Sequence, residues 1–161
     1  MSALTQRSTR LALLFFITSG LGAATAQSAP NLSGTWALDA AKSNFGPLPA
    51  PQNRSDVIDH REPRLTITRT ILQDGTPTTL DLKYAIDGKP HSNTTPQGQI
   101  TSSLTWEGQV LVMKSQVPTD GGAAVIVDRM TLSSDGRTLT QDRTISVQGQ
   151  EIKQTIVLVK Q

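Results

Sequence analysis

Between Met130 and Val147 the chain reads Met130-Thr131-Leu132-Ser133-Ser134-Asp135-Gly136-Arg137-Thr138-Leu139-Thr140-Gln141-Asp142-Arg143-Thr144-Ile145-Ser146-Val147. Asp135-Gly136 is a turn dipeptide, because both residues tolerate left-handed backbone. Beyond it the residues alternate, and a period of two places successive side chains on opposite faces of a strand. Leu139, Ile145 and Val147 are thereby predicted to face inward, while Thr138, Thr140, Asp142, Thr144 and Ser146 face out. Setting Leu132 opposite Leu139 brings Met130 across from Gln141, Asp128 from Arg143 and Ile126 from Ile145. A slip of one residue would turn every one of these side chains to the wrong face, so this register is strongly specified.

The same pattern extends outward from this hairpin. Turn signals stand at Asp74-Gly75, Asp87-Gly88, Glu107-Gly108, Asp120-Gly121 and Gln148-Gly149, separated by segments rich in Val, Ile, Thr and Leu. Leu80, Leu82, Tyr84 and Ile86 share an inward phase, as do Ile100, Leu104 and Trp106. A turn at Glu107-Gly108 would set Leu104 against Leu111, and one at Gly149-Gln150 would set Val147 against Ile152. Upstream, a short strand at Gly34 to Leu38 leads into a stretch dense in Pro, Gly and Asn, from Asn44 to Pro51. Prolines this close together cannot donate to a ladder, so an ordered loop crossing the end of the fold is expected there. No segment after residue 26 keeps an apolar period of 3.6 through three turns. The fold class is therefore all-β, an antiparallel up-and-down barrel of about eight or nine strands, because closure removes unpaired edges. A two-sheet β-sandwich is the alternative.

Residues 1–26 have a different composition. Arg7 and Arg10 precede the apolar run Leu11 to Ile17, and small residues follow as far as Ala24-Thr25-Ala26. That three-part order predicts a secretory signal peptide cleaved near Ala26, leaving a single domain at 27–161 that is secreted or periplasmic. The apolar run falls short of the roughly 20 residues that span a bilayer, so no membrane anchor is expected. The full chain of 161 residues carries a formal charge of +2, from 15 basic and 13 acidic residues. Both arginines of the leader leave on cleavage, and the remainder balances at 13 of each sign. Nucleic-acid binding thereby loses its only compositional support. With no cysteine, disulfides and thiol chemistry are excluded.

Inward polar residues are the informative exceptions on an apolar face. Arg69 lies in phase with Leu65, Ile67 and Ile71, and no carboxylate faces it in the register read above. Gln141 and Arg143 also point inward, with Asp128 across from Arg143. Such a patch either orients the head group of an amphipathic ligand or satisfies itself, Asp128 and Arg143 forming an inward ion pair. Tyr84, Trp106 and Met113 share the inward phase, so Arg69, Tyr84, Trp106, Met113, Gln141 and Arg143 form the candidate ligand-binding set. His60 and His91 stand in separate segments without metal-ligand spacing and are expected to be solvated. No metal site is predicted, no cofactor and no catalytic residue: four aromatics after residue 26 grip a haem or flavin poorly, and no nucleophile-elbow context occurs.

The triplet Gly34-Thr35-Trp36 resembles the G-x-W opening of the calycin superfamily, which includes lipocalins and fatty-acid-binding proteins. Together with Lys42 to Pro49 and Leu132 to Thr140, it resembles a group of small secreted lipocalin-like proteins from soil bacteria. The resemblance implies a lipocalin-like barrel in which Trp36 plugs the closed end, with a late-strand arginine packed on it; Arg143 is the arginine of inward phase there. The R-x-Y pair with which fatty-acid-binding proteins hold a carboxylate is missing from the last strands. Three functions stay open: a monomeric binding protein for a small hydrophobic or amphipathic ligand, a non-enzymatic envelope interaction module with a solid core, and a hydrolase or isomerase on the same barrel.

Overall fold

The computed structural model describes residues 28–161, so the predicted signal peptide lies outside the described residues. Ten strands follow one another: β1 (Gly34–Leu38), β2 (Asn53–Arg61), β3 (Arg64–Gln73), β4 (Thr76–Ala85), β5 (His91–Thr95), β6 (Gly98–Glu107), β7 (Val110–Thr119), β8 (Gly122–Leu132), β9 (Thr138–Val147) and β10 (Gln150–Lys160). They form one antiparallel sheet in the order β4-β3-β2-β1-β10-β9-β8-β7-β6-β5. The sheet curls into a nearly closed barrel, with no helix among the described residues.

Ten strands replace the eight or nine expected. The additional strand, β5, reads His-Ser-Asn-Thr-Thr and carries no branched aliphatic residue or aromatic to reveal it. The hairpin between Asp128 and Arg143 has the register set by Asp135-Gly136, with Leu132 opposite Leu139. Two other turns are displaced. The β6–β7 turn centres on Gly108-Gln109, so Leu104 meets Met113 and Trp106 meets Leu111. At the β9–β10 turn Gln148 and Gly149 have φ of 50° and 79°, the type I′ condition, and Val147 meets Gln150. Both corrections are shifts of two residues, which leave each side chain on its predicted face. The proline-rich segment starts out beside β10, with Asn44 bridged to Thr155 and the Phe45 carbonyl accepting from Gln154.

β4 and β5 stand at the two ends of the strand order and share no ladder. Asn93 spans the seam with its side chain: Lys83 N–H donates to Oδ1 at 2.8 Å, and Nδ2 donates to the Lys83 carbonyl at 3.0 Å. One amide thus substitutes for a stretch of missing backbone pairing. Asn93→Ala leaves both partly buried Lys83 groups unpaired and is expected to cost about 1–3 kcal/mol. Hydrogen exchange checks this, since the Lys83 amide should lose protection while β7 and β8 keep theirs.

The interior is stacked in three levels. Leu32, Trp36, Ile58, Leu65, Ile67, Leu104, Leu111, Met130, Leu139 and Leu158 fill the closed end as a solid apolar core. A belt of charged and amide side chains lies above it, and a cavity above that.

Candidate functional site

The belt is built on cross-strand rows. Trp36, Asp56, Arg69 and Leu80 are successive neighbours across β1 to β4. Gln154, Arg143, Asp128 and Met113 do the same across β10 to β7. Asp56 is the carboxylate that the sequence reading did not place opposite Arg69. Its Oδ1 and Oδ2 accept from Arg69 Nε and Nη2 at 3.0 and 2.8 Å, and from Arg54 Nε and Nη2 at 3.0 and 2.7 Å. Arg54 Nη2 also donates to Gln141 Oε1 at 3.0 Å. Arg143 holds Asp128 through Nε at 2.7 Å and Nη2 at 3.1 Å.

Burial alone would raise the Asp56 carboxyl, yet the Arg69 and Arg54 guanidiniums outweigh it and hold the group well below the usual carboxylate range. Asp128 is likewise opposed by burial and lowered overall by Arg143. In Arg54 burial dominates, and with the repulsion of Arg69 it brings the guanidinium down to about 10. Burial also opposes the charge on Arg69, but Asp56 more than offsets it and the group is raised. The pH consequence follows from the two depressed carboxylates. Their contribution is fully present above the unfolded value of about 4 and is lost as pH falls through the folded values. Tm is therefore expected to hold from neutrality to about pH 5 and to fall steadily in stronger acid. A melting profile flat from pH 5 to pH 2 would contradict this.

Above the belt lies a cavity of about 250 Å³ that opens to solvent. Ile71, Leu80, Leu82, Ile100, Val117 and Ile126 form its apolar walls, and Gln97 stands in the β5–β6 turn beside it. Its polar lining is Arg69, Asp128 and Arg143, with Ser115, and Met113 adds a flexible apolar surface. A hollow of about 320 Å³ near Pro90 is larger, but Thr101, Ser103, Lys114, Gln116 and Val125 place it on the outer side of the wall.

Of the six residues predicted to bind ligand, Arg69, Met113 and Arg143 line the cavity. Tyr84, Trp106 and Gln141 do not. Tyr84 is buried in the row of His60 and Leu65, where burial pushes its hydroxyl up. Trp106 lies beside His60, ring centroids 5.9 Å apart, and donates from Nε1 to Glu62 Oε1 at 2.6 Å. Gln141 belongs to the belt. His60 corrects another expectation, since it is buried rather than solvated: Nδ1 accepts from Leu32 N–H at 3.2 Å and Nε2 meets Glu62 Oε1 at 3.0 Å. Trp36 is fully buried and donates from Nε1 to the Leu32 carbonyl at 3.0 Å. Lys160, not Arg143, sits over its ring, 5.4 Å from the centroid. His91 is half-buried beside Asp87 at 2.9 Å. No group of three or more metal-ligating side chains occurs among the described residues.

Missed altogether were Arg54 and Asp56, on a strand whose inward positions are mostly polar or charged. The signal available was Ile58, whose inward phase carries both residues along with it.

The fold is thus a meandering, nearly closed antiparallel barrel of ten strands with a charged belt inside it and a cavity open to solvent. The solved structures it is similar to share its fold. Secretory abundant heat soluble protein 4 from Ramazzottius varieornatus matches with a TM-score of 0.61 at 14% identity, covering 84% of this chain and 99% of that one. The zebrafish ileal bile acid-binding protein complexed with cholic acid matches at 0.57 and 14%, covering 80% and 98%. A fatty acid-binding protein from Drosophila melanogaster brain matches at 0.50 and 16%, also covering 80% and 98%. At these identities the likeness is one of fold. No protein-family model and no curated protein matches the sequence.

Proposed function

We propose that the protein is a secreted or periplasmic binding protein that holds a small apolar or amphipathic molecule inside its barrel, as a monomer without a membrane anchor. In this reading it is one of the small bacterial lipocalin-like proteins that open on G-x-W, here Gly34-Thr35-Trp36. The observation that carries the reading is the open cavity: its apolar walls stand over a floor holding Arg69, Asp128 and Arg143. Ligand sites combine a mostly apolar lining with a few convergent polar groups in this way. Two of the similar structures are named for bile acid and fatty acid binding, which supports the same class of use.

Native mass spectrometry of protein purified from its own host is expected to show a bound small molecule. N-phenyl-1-naphthylamine, a neutral apolar probe, is expected to fluoresce on binding, and Ile100→Trp, which fills the cavity from its wall, should abolish that signal without loss of fold. Apo protein from the host together with no probe binding would instead favour a non-enzymatic interaction module that acts through its outer surface.

A further inference from the structure

Residues 28–33 lie against the closed end of the barrel, and the side chain of His60 governs how they are held. Leu32 is buried there, its carbonyl accepting from Trp36 Nε1 at 3.0 Å and its N–H donating to His60 Nδ1 at 3.2 Å. The Ser33 hydroxyl accepts from the His60 N–H at 2.9 Å and donates to the His60 carbonyl at 3.2 Å. Upstream, Gln109 Nε2 donates to the Ser28 carbonyl at 3.3 Å in an exposed contact. A ring nitrogen accepts only when it carries no proton, so the Leu32 bond requires a neutral imidazole with its hydrogen on Nε2. That hydrogen faces Glu62 Oε1 at 3.0 Å, and Trp106 Nε1 donates to the same oxygen at 2.6 Å.

The two sides of the ring therefore favour different charge states. Glu62 favours an imidazolium, because the opposite charge stands at contact distance. The Leu32 N–H excludes one, because a second N–H would then face it at 3.2 Å, and a buried donor left without an acceptor is costly. The remaining neighbours do not titrate with the ring. Leu65 and Tyr84 follow His60 in its row across β3 and β4, and burial keeps the Tyr84 hydroxyl protonated. Trp106 comes from β6, and residues 28–33 carry no acidic or basic side chain. We propose that His60 is an acid-released latch: neutral, it holds residues 28–32 against the closed end; charged, it pairs with Glu62 and lets them go, with Ser33 as the hinge. Ser33 is suited to that part, since its hydroxyl is tied to the His60 backbone and not to the ring. Release uncovers the apolar surface around Leu32 and Trp36, at the end opposite the cavity, so the latch acts whether or not a ligand is bound. It is also local, because the ladders of the ten strands begin beyond this segment.

Both tryptophans of the chain report on the latch, Trp36 through Leu32 and Trp106 through Glu62. The test is a titration of the wild-type protein from pH 7.5 to pH 5, the interval in which imidazoles ordinarily charge. Nitrogen NMR is expected to show His60 Nδ1 unprotonated at the start and both ring nitrogens protonated at the end. In step with the ring, the exchange protection of the Leu32 amide should fall at least about fivefold, the effect of leaving a buried donor unpaired, while β7 and β8 keep theirs. Tryptophan emission should change over the same interval. His60→Asn sets a carbonyl oxygen near the Nδ1 position, an acceptor that does not titrate, so protection at Leu32 should become independent of pH. Glu62→Gln keeps the acceptor but removes its charge, and release should move to lower pH. A ring that charges while Leu32 stays protected would overturn the latch, as would a ring still neutral at pH 5 or a release unmoved by Glu62→Gln. If His60→Asn disturbs the fold, the wild-type titration alone decides.

Discussion

Asp56→Asn is expected to cost about 3–5 kcal/mol, a large share of the roughly 5–15 kcal/mol by which a domain is ordinarily stable. The cost does not come from losing a favourable pair, because buried pairs contribute little net stability once desolvation is counted. It comes from what is left behind: Arg54 and Arg69, both buried, facing each other without the carboxylate they share. A comparison separates the two ideas. Replacing Arg54, Asp56 and Arg69 together by Met, Leu and Leu removes the charges as a set, and that variant should unfold in urea close to the wild-type midpoint. If the single substitution and the triple substitution cost the same, the packing of these side chains matters and their charge does not.

Trp36→Ala is expected to cost about 3–5 kcal/mol, the range for removing a buried indole. Trp36 sits at the junction of the base and the belt, with Asp56 as its neighbour on β2 and Lys160 as its neighbour on β10. Its Nε1 donates to the Leu32 carbonyl, and Leu32 in turn donates its N–H to His60. Truncation therefore opens a void and removes one of the hydrogen bonds that hold the segment around Leu32, the others running to His60 from the Leu32 N–H and through the Ser33 hydroxyl. Trp36→Phe keeps most of the apolar volume but not the donor, and should lose about 1–2 kcal/mol beyond its packing change. Urea midpoints for both variants, with hydrogen exchange at Leu32, check the split. Wild-type protection at Leu32 in Trp36→Ala would show that the segment is held by His60 alone.

The sequence revealed faces better than positions along the barrel axis. Alternation placed Trp106 on the inward side, where its row partner Leu111 is buried, but period two says nothing of height, and Trp106 lies at the closed end instead of the cavity. The Asp128–Arg143 row was legible because Asp135-Gly136 sets a register that a slip of one would ruin. Asp56 was not, since β2 spends its inward positions on Arg54, Asp56, Ile58 and His60, and one aliphatic among four leaves no periodic signal. β5 escaped for a related reason: its buried residues are Asn93 and Thr95. The cavity could not be read at all, because whether an interior is filled depends on the summed volumes of side chains from many strands.

The strand order has a consequence for how the chain is assembled. Eight of its nine neighbour relations join strands consecutive in the chain; the ninth sets β1 against β10, bringing Trp36 to Lys160. Hairpins close short loops and form on microsecond scales, whereas this last pairing closes a loop spanning nearly the whole domain. During synthesis β2 through β9 can pair as each emerges, yet β1 waits without one of its two partners until the final residues are made. The indole where base and belt meet is thus among the first buried groups translated and among the last to be enclosed.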